Sequence, residues 1–374
     1  MTLSPEELIP AGHPIRRIRR VVEDVLVELD GEFDAMYSSK GRRSVPPEAL
    51  LKATVLMALY SIRSERAFCE RLNYDLLFKW FLDLPIDAKA FDATTFTKNR
   101  KRLLDHAIAD RFFEEVVRQA QLRRYVSSEH FSVDGTLLEA WASHKSFKPN
   151  RSTTGDGTDG QDGTDGTDGQ DGQDGQDDDD VRPAGRNSEV DWRGQKRSNS
   201  THTSTTDPEA RLARKSMNTA ARLCYSGHLL MENRNALIVD AELTGATGYA
   251  ERDTAAKMLG RLPKWKRRRT VGADKGYDTA GFVAEVRDLG FTPHVAPHNN
   301  KRRSAIDGRT TRHHGHRVSQ RIRPRIEEPF GWMKTIAGGH KLRYIGRDRN
   351  RAWCKMTAAI YNVLRITTLD AAAA

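Results

Sequence analysis

Residues 129–141 read EHFSVDGTLLEAW, and apolar and polar side chains alternate along them. That is the period of a β-strand with one face against a core, and it interrupts a chain that until then follows helical spacing. Further strands are predicted at 223–231 (LCYSGHLLM), 237–243 (LIVDAEL), 270–274 and 291–296, with helices at about 249–261 and 279–288. The first three strands follow one another without a helix, and the later two alternate with helices. This order predicts a mixed sheet with an antiparallel section and a parallel section, an α/β-type core within an α+β chain.

Upstream, residues 15–29 place Ile15, Ile18, Val22, Val25 and Leu29 at helical spacing, with Arg16, Arg17, Arg19 and Arg20 between them. Those arginines form either a solvated face or a phosphate-contacting one. Residues 47–60 (PEALLKATVLMALY) are apolar nearly all round, which predicts a buried helix. Short helices are expected at 64–72 and 75–82. A basic helix at 95–104 then carries Lys98, Arg100, Lys101 and Arg102 and leads into another at about 106–122. Several short helices ending in a basic one resemble a helix-turn-helix bundle, which sets such a helix in the major groove of DNA. The expected division is a helical DNA-binding domain over 1–125 and a catalytic domain over 126–370, with an insertion at 151–200.

The insertion contains GDGTDGQDGTDGTDGQDGQDGQDDDD at 155–180. Such a repeat buries no apolar surface to offset its ordering entropy, so a disordered acidic segment is expected. A calcium-binding β-roll is the weaker alternative, because its units need a large apolar residue and these have none.

The chain has 374 residues, enough for two to three domains, with 37% hydrophobic and 30% charged residues. No apolar run approaches the roughly 20 residues of a membrane helix. The first residues, MTLSPEELIPAGHPIRRIRR, lack the apolar stretch of a secretory signal. Cys69, Cys224 and Cys354 are odd in number and far apart, which excludes a disulfide framework or a CxxC zinc site and suits a reducing cytoplasm. The net charge is +10, yet residues 155–180 hold eleven Asp and no Lys or Arg, so the remainder is eleven charges more basic. So large a cationic excess points to nucleic acid, ahead of an acidic membrane surface. The clusters at 261–269 and 301–326 fit phosphate contact, with a solvated basic loop as the bland alternative. The histidines at 294, 298, 313, 314 and 316 lack a zinc-ligand spacing, so DNA contact or plain loop is the better reading.

Asp134 and Asp274 are each predicted at a strand end beside glycine, in SVDGT and GADKGYD. Glycine leaves room for a closely approaching ligand. Two carboxylates on neighbouring strand ends suit Mg²⁺, which takes oxygen ligands and keeps waters to exchange for phosphate oxygens. Two such ions activate an attacking oxygen and stabilise the leaving one. Loop capping by either Asp is the alternative. Read as one helix, 319–334 (SQRIRPRIEEPFGWMK) puts Arg323, Glu327, Gly331 and Lys334 on one face, although Pro329 marks a kink or a true helix start. Glu327 would face a metal while Arg323 and Lys334 clamp phosphates. A surface helix with ion pairs is the alternative.

These motifs, with the stretches 44–84, 92–104, 199–216 and 227–255, resemble the bacterial insertion-sequence transposases with a DDE triad, in the insertion-sequence-five-like group. The resemblance spans nearly the whole chain outside 151–180. It implies a ribonuclease-H-like catalytic domain with Asp134, Asp274 and Glu327 as catalytic, metal-holding residues. It also implies dependence on two Mg²⁺ ions, with Mn²⁺ as a substitute, and cut-and-paste transposition at terminal inverted repeats in double-stranded DNA. A homodimer on DNA and a cytoplasmic, nucleoid-associated location follow by analogy. Gln320 stands where that family usually has Tyr, and the acidic repeat is foreign to it. Glu327 is preferred over Glu328 because the spacing to Arg323 and Lys334 fits it. A DNA-binding regulator, or a nuclease on the same fold without strand transfer, are the alternatives.

Overall fold

A computed structural model describes residues 5–36, 45–105, 107–150, 197–216, 218–264, 266–298 and 303–373. The acidic repeat lies outside the described residues.

The N-terminal part is helical: α1 (Pro5–Leu8), α2 (Pro14–Glu28), α3 (Asp30–Met36), α4 (Pro47–Leu59), α5 (Glu65–Leu72), α6 (Leu76–Phe81), α7 (Ala93–Asp105) and α8 (Ile108–Leu122). α2 buries Ile15, Ile18, Val22 and Val25 on one stripe, as their spacing requires. α4 is buried almost continuously from Leu50 to Ala58. α5 and α6 start where Ser64 and Asp75 accept hydrogen bonds from the Ala67 and Phe78 N–H groups.

The strands are β1 (His130–Glu139), β2 (Phe147–Pro149), β3 (His202–Ser204), β4 (Arg211–Ala213), β5 (Arg222–Glu232), β6 (Ile238–Gly245), β7 (Arg269–Ala273) and β8 (Phe291–Val295). β2 and β3 form a separate small ribbon. In the main sheet β1 pairs antiparallel with β5 and parallel with β7. β6 pairs antiparallel with β5, and β8 parallel with β7. The order β6-β5-β1-β7-β8, three antiparallel strands and then two parallel ones, is that of a ribonuclease-H-like domain.

One face of the sheet is covered by α9 (Ala250–Arg261) and α10 (Ala280–Asp288), which close a core around Phe131, Val133, Val271 and Ala273. The chain then continues through α11 (Gly308–Arg312), α12 (His314–Ile322), α13 (Glu327–Thr335) and α14 (Arg347–Ala373). α13, α14 and the N-terminal helices share the core of the opposite face with Leu229 and Met231 of β5. The 319–334 stretch is therefore not one helix. α12 ends at Ile322, a 3₁₀ turn spans Arg323–Ile326, and α13 starts at Glu327. Pro324 lacks an N–H and closes α12, and Pro329 sits in the first turn of α13, where its missing donor costs nothing.

Candidate active site

The two aspartates meet because of strand register. Ser132 of β1 is the partner of Gly272 of β7 in the parallel ladder. Two residues further on, side chains return to the same face, so Asp134 stands beside Asp274 just past the end of β7. Asp134 Oδ1 accepts the Gly135 N–H at 2.8 Å, and Asp274 Oδ1 accepts the Gly276 N–H at 2.8 Å while capping the 3₁₀ turn Lys275–Tyr277. Neither carboxylate has an ion pair among the described residues. Burial pushes the Asp134 carboxyl up to about 6, and the charges of Asp274 and Glu251 add to this against the Gly135 N–H and Arg323.

Glu327, the expected third acid, lies on the segment that follows α12. A methyl group at Gly272 would lie 3.7 Å from Cβ of Arg323. Lys334 Nζ donates to Thr136 Oγ1 at 2.5 Å, and the Leu342 N–H donates to the Glu139 carbonyl at 2.7 Å. The order 323, 334, 342 thus follows Ser132, Thr136, Glu139 in the same direction. The 3₁₀ turn and α13 together rise about 18 Å from Arg323 to Lys334, and the strand from Ser132 to Thr136 about 13 Å. Glu327 opens α13 about two turns before Lys334, on the same stripe of the helix. Glu327 is exposed and has no hydrogen bond or ion pair among the described residues. Glu328 accepts a hydrogen bond from Tyr361 OH of α14 at 3.2 Å and so points elsewhere.

Arg323 Nε is buried and has no hydrogen-bond partner. Burial holds the Lys334 ammonium below its ordinary value, with Lys215 adding to this and Asp134 opposing it. Gln320, in the position where the family pattern has Tyr, donates its side-chain amide to the carbonyls of His294 and Ala273 and ties α12 to the ends of β7 and β8.

On α7, Lys98 is exposed. Arg100 is paired with Glu65 and lies over the Tyr344 ring at 4.7 Å, so it packs inward. The side chains of Lys101 and Arg102 lie outside the described residues. Arg16 and Arg19 are engaged by Glu6 and by Glu23 and Asp83, which leaves Arg17 and Arg20 exposed on α2. Of the histidines, His294 and His316 are buried packing groups. His294 shares a hydrogen bond with Ser319 Oγ, and His316 bonds to the Val295 carbonyl.

Sequence reasoning missed Glu251, in the first turn of α9. A methyl group at Gly135 would come within 2.8 Å of its Cγ. Burial raises its carboxyl above the ordinary value, and Asp274 adds to this. The one signal available was Gly135 itself, whose missing side chain leaves the space Glu251 fills.

Among the described residues no group of three or more His, Cys, Asp or Glu is gathered so as to hold a metal ion. The donor set nevertheless fits Mg²⁺, which is usually held through one or two carboxylates while keeping waters and substrate phosphates in its other positions. Asp134 and Asp274 supply two adjacent carboxylates without an ion pair among the described residues.

A ribonuclease-H-like sheet carrying adjacent aspartates at its central strands defines a class of metal-assisted phosphoryl-transfer enzymes. A transposase domain of unassigned function matches residues 3–102, and a transposase DDE domain matches residues 191–363. The chain belongs to the DDE-type transposases of insertion sequences, enzymes that cleave and transfer DNA strands and that generally depend on divalent metal. A solved structure with some likeness is the piggyBac transposase synaptic complex with hairpin DNA, with TM-score 0.42 and 7% identity, covering 96% of this chain and 76% of that one. No curated protein matches the chain. No described helix is long and apolar enough to cross a membrane.

Proposed function

We propose that Asp134, Asp274 and Glu327 are the acidic triad of this transposase and act at the terminal inverted repeats of an insertion sequence of the insertion-sequence-five-like group. The observation that supports this is the β1–β7 register, which sets Asp134 beside Asp274, two carboxylates without an ion pair among the described residues. Asp134 and Asp274 would hold the two Mg²⁺ ions, for which Mn²⁺ substitutes, with Glu327 completing the site from α13. When bound, the ions supply activation of the attacking oxygen and stabilisation of the leaving oxygen of a phosphodiester.

The chain's own residues orient and clamp. Arg323 offers a planar fork to a phosphate, and Lys334 a point charge beside Thr136. The Gly135 and Gly276 N–H groups fix one oxygen of each aspartate, which leaves the second oxygen without a hydrogen bond among the described residues, where it could serve as a ligand. Water attack would free a 3′-hydroxyl at the element's end, and that hydroxyl would then attack target DNA. On the helical side, Lys98, Lys101 and Arg102, with Arg17 and Arg20, are the cations proposed for the duplex. Arg100 is spent on Glu65. Pairing of two element ends on a homodimer in the cytoplasm completes the reading.

The test uses the full chain with DNA carrying an inverted-repeat end, in Mg²⁺, with and without a pre-cleaved 3′-hydroxyl. Asp134→Asn should abolish both cleavage and joining while DNA binding persists, and continued cutting would remove the proposed role. Cleavage without joining in the wild type would leave a nuclease.

A further inference from the structure

Glu251 approaches the two aspartates from the α9 face of the sheet, opposite to the face that carries α13. Two contacts fix it there. Its side chain lies on Gly135, where an added methyl would meet its Cγ at 2.8 Å and its Oε1 at 3.0 Å. The next residue, Arg252, donates to the Gly276 carbonyl at 3.3 Å and lies over the Tyr249 ring at 5.4 Å, which ties the start of α9 to the turn after Asp274. Glu251 therefore stands on the glycine that follows Asp134, and its charge acts on both aspartates.

Its carboxylate is half-buried yet makes no hydrogen bond or ion pair among the described residues. Two other buried acids of this chain are satisfied at both oxygens. Glu232 accepts the N–H groups of Ser127, Arg234, Asn235 and Leu237, and Glu242 is paired with Arg261 and Arg351. A partly desolvated carboxylate without a partner is costly unless a cation or donor arrives. Mg²⁺ keeps several waters, each a strong donor that needs an acceptor. We propose that Glu251 is a positioning residue of the active site, accepting hydrogen bonds from the water shell of the divalent ion held by Asp134 and Asp274. This rests on the assignment of those two aspartates above.

The test measures Mn²⁺ binding to the full-length protein by electron paramagnetic resonance, alongside the Mg²⁺ concentration giving half-maximal cleavage. Glu251→Gln should weaken Mn²⁺ binding and raise the Mg²⁺ midpoint by about tenfold, the lower end of losses seen on removing an outer-shell partner. Gly135→Ala keeps the carboxylate but displaces it, and should shift both quantities in the same direction. A merely structural role would lower the melting temperature of Glu251→Gln and leave Mn²⁺ affinity alone. Wild-type affinity and midpoint in both variants, with binding lost in Asp134→Asn, would overturn the role of Glu251. Undiminished Mn²⁺ binding in Asp134→Asn would instead overturn the site assignment, and this inference with it.

Discussion

Two pairs of acidic residues sit in the same sheet and have opposite surroundings. Asp240 and Glu242 on β6 are buried, and cations of the chain meet both: Lys355 and Arg261 at Asp240, Arg351 and Arg261 at Glu242. Burial alone would raise the Glu242 carboxyl, but Arg351, Lys355 and Arg261 bring it below its ordinary value. Arg351 also reaches Asp110 of α8, so this pair joins the sheet, α14 and the N-terminal helices. Asp134 and Asp274 have no such partners, and Asp134 is pushed up to about 6. On the proposed reading, the difference separates acids that hold the fold from acids kept free for a ligand. Carboxylates left without a protein cation cost stability, and they repay it only when an ion and a phosphate arrive.

The contrast can be broken most severely at the free pair. Asp274→Asn should lower DNA cleavage by at least about a thousandfold, roughly 4 kcal/mol in the transition state, with DNA affinity in a gel-shift assay unchanged. At the satisfied pair the loss should appear in folding. Lys355→Met leaves a buried carboxylate short of one cation and should cost about 3 kcal/mol in urea denaturation. A pH series sharpens the point on β5. Burial lowers the His228 imidazole from 6.5 to about 4. The unfolded chain therefore binds this proton first, and stability should fall as pH drops from 6.5 towards 4 by up to about 1.4 kcal/mol per pH unit. His228→Gln should flatten that decline. Asp134→Asn should do the reverse of Lys355→Met and raise stability at pH 7 on the order of 1 kcal/mol, because it removes a desolvated charge; a drop would mean that the carboxylate has a cation partner after all. The smallest effect belongs to Glu328→Gln, which keeps an acceptor for Tyr361 and should leave cleavage within about twofold.

Strands β1, β5, β6, β7 and β8 were legible because period-2 alternation and glycine boundaries are local properties of the chain. Helices α2 and α4 to α10 were likewise close to their expected limits, whereas α3 was not expected. α14 was not anticipated. Its buried positions include Asn350, Lys355, Thr357, Asn362 and Thr367, which break any apolar stripe; Lys355 and Asn362 are satisfied by distant partners, Asp240 and the Ile238 backbone, and the other three by nearby carbonyls. The inward turn of Arg100 was hidden for the same reason, since its partners Glu65 and Tyr344 come from two other parts of the chain. At the site, spacing alone favoured Glu327, and the bond from Tyr361 to Glu328 supports that choice by occupying its neighbour.

Sequence by itself determined the acidic and basic residue types, the strand that carries Asp134, the helix that carries Glu327 and the basic balance that points to DNA, because each is written in composition or in short-range periodicity. Tertiary structure alone decided which of those charges remain unspent. It set the register that brings Asp134 beside Asp274, gave Arg100 to Glu65 and Lys355 to Asp240, and brought Glu251 to Gly135 from the far face of the sheet. Charge pairing depends on distance in space, and neighbours far apart along a chain become neighbours only when the core that holds them has formed.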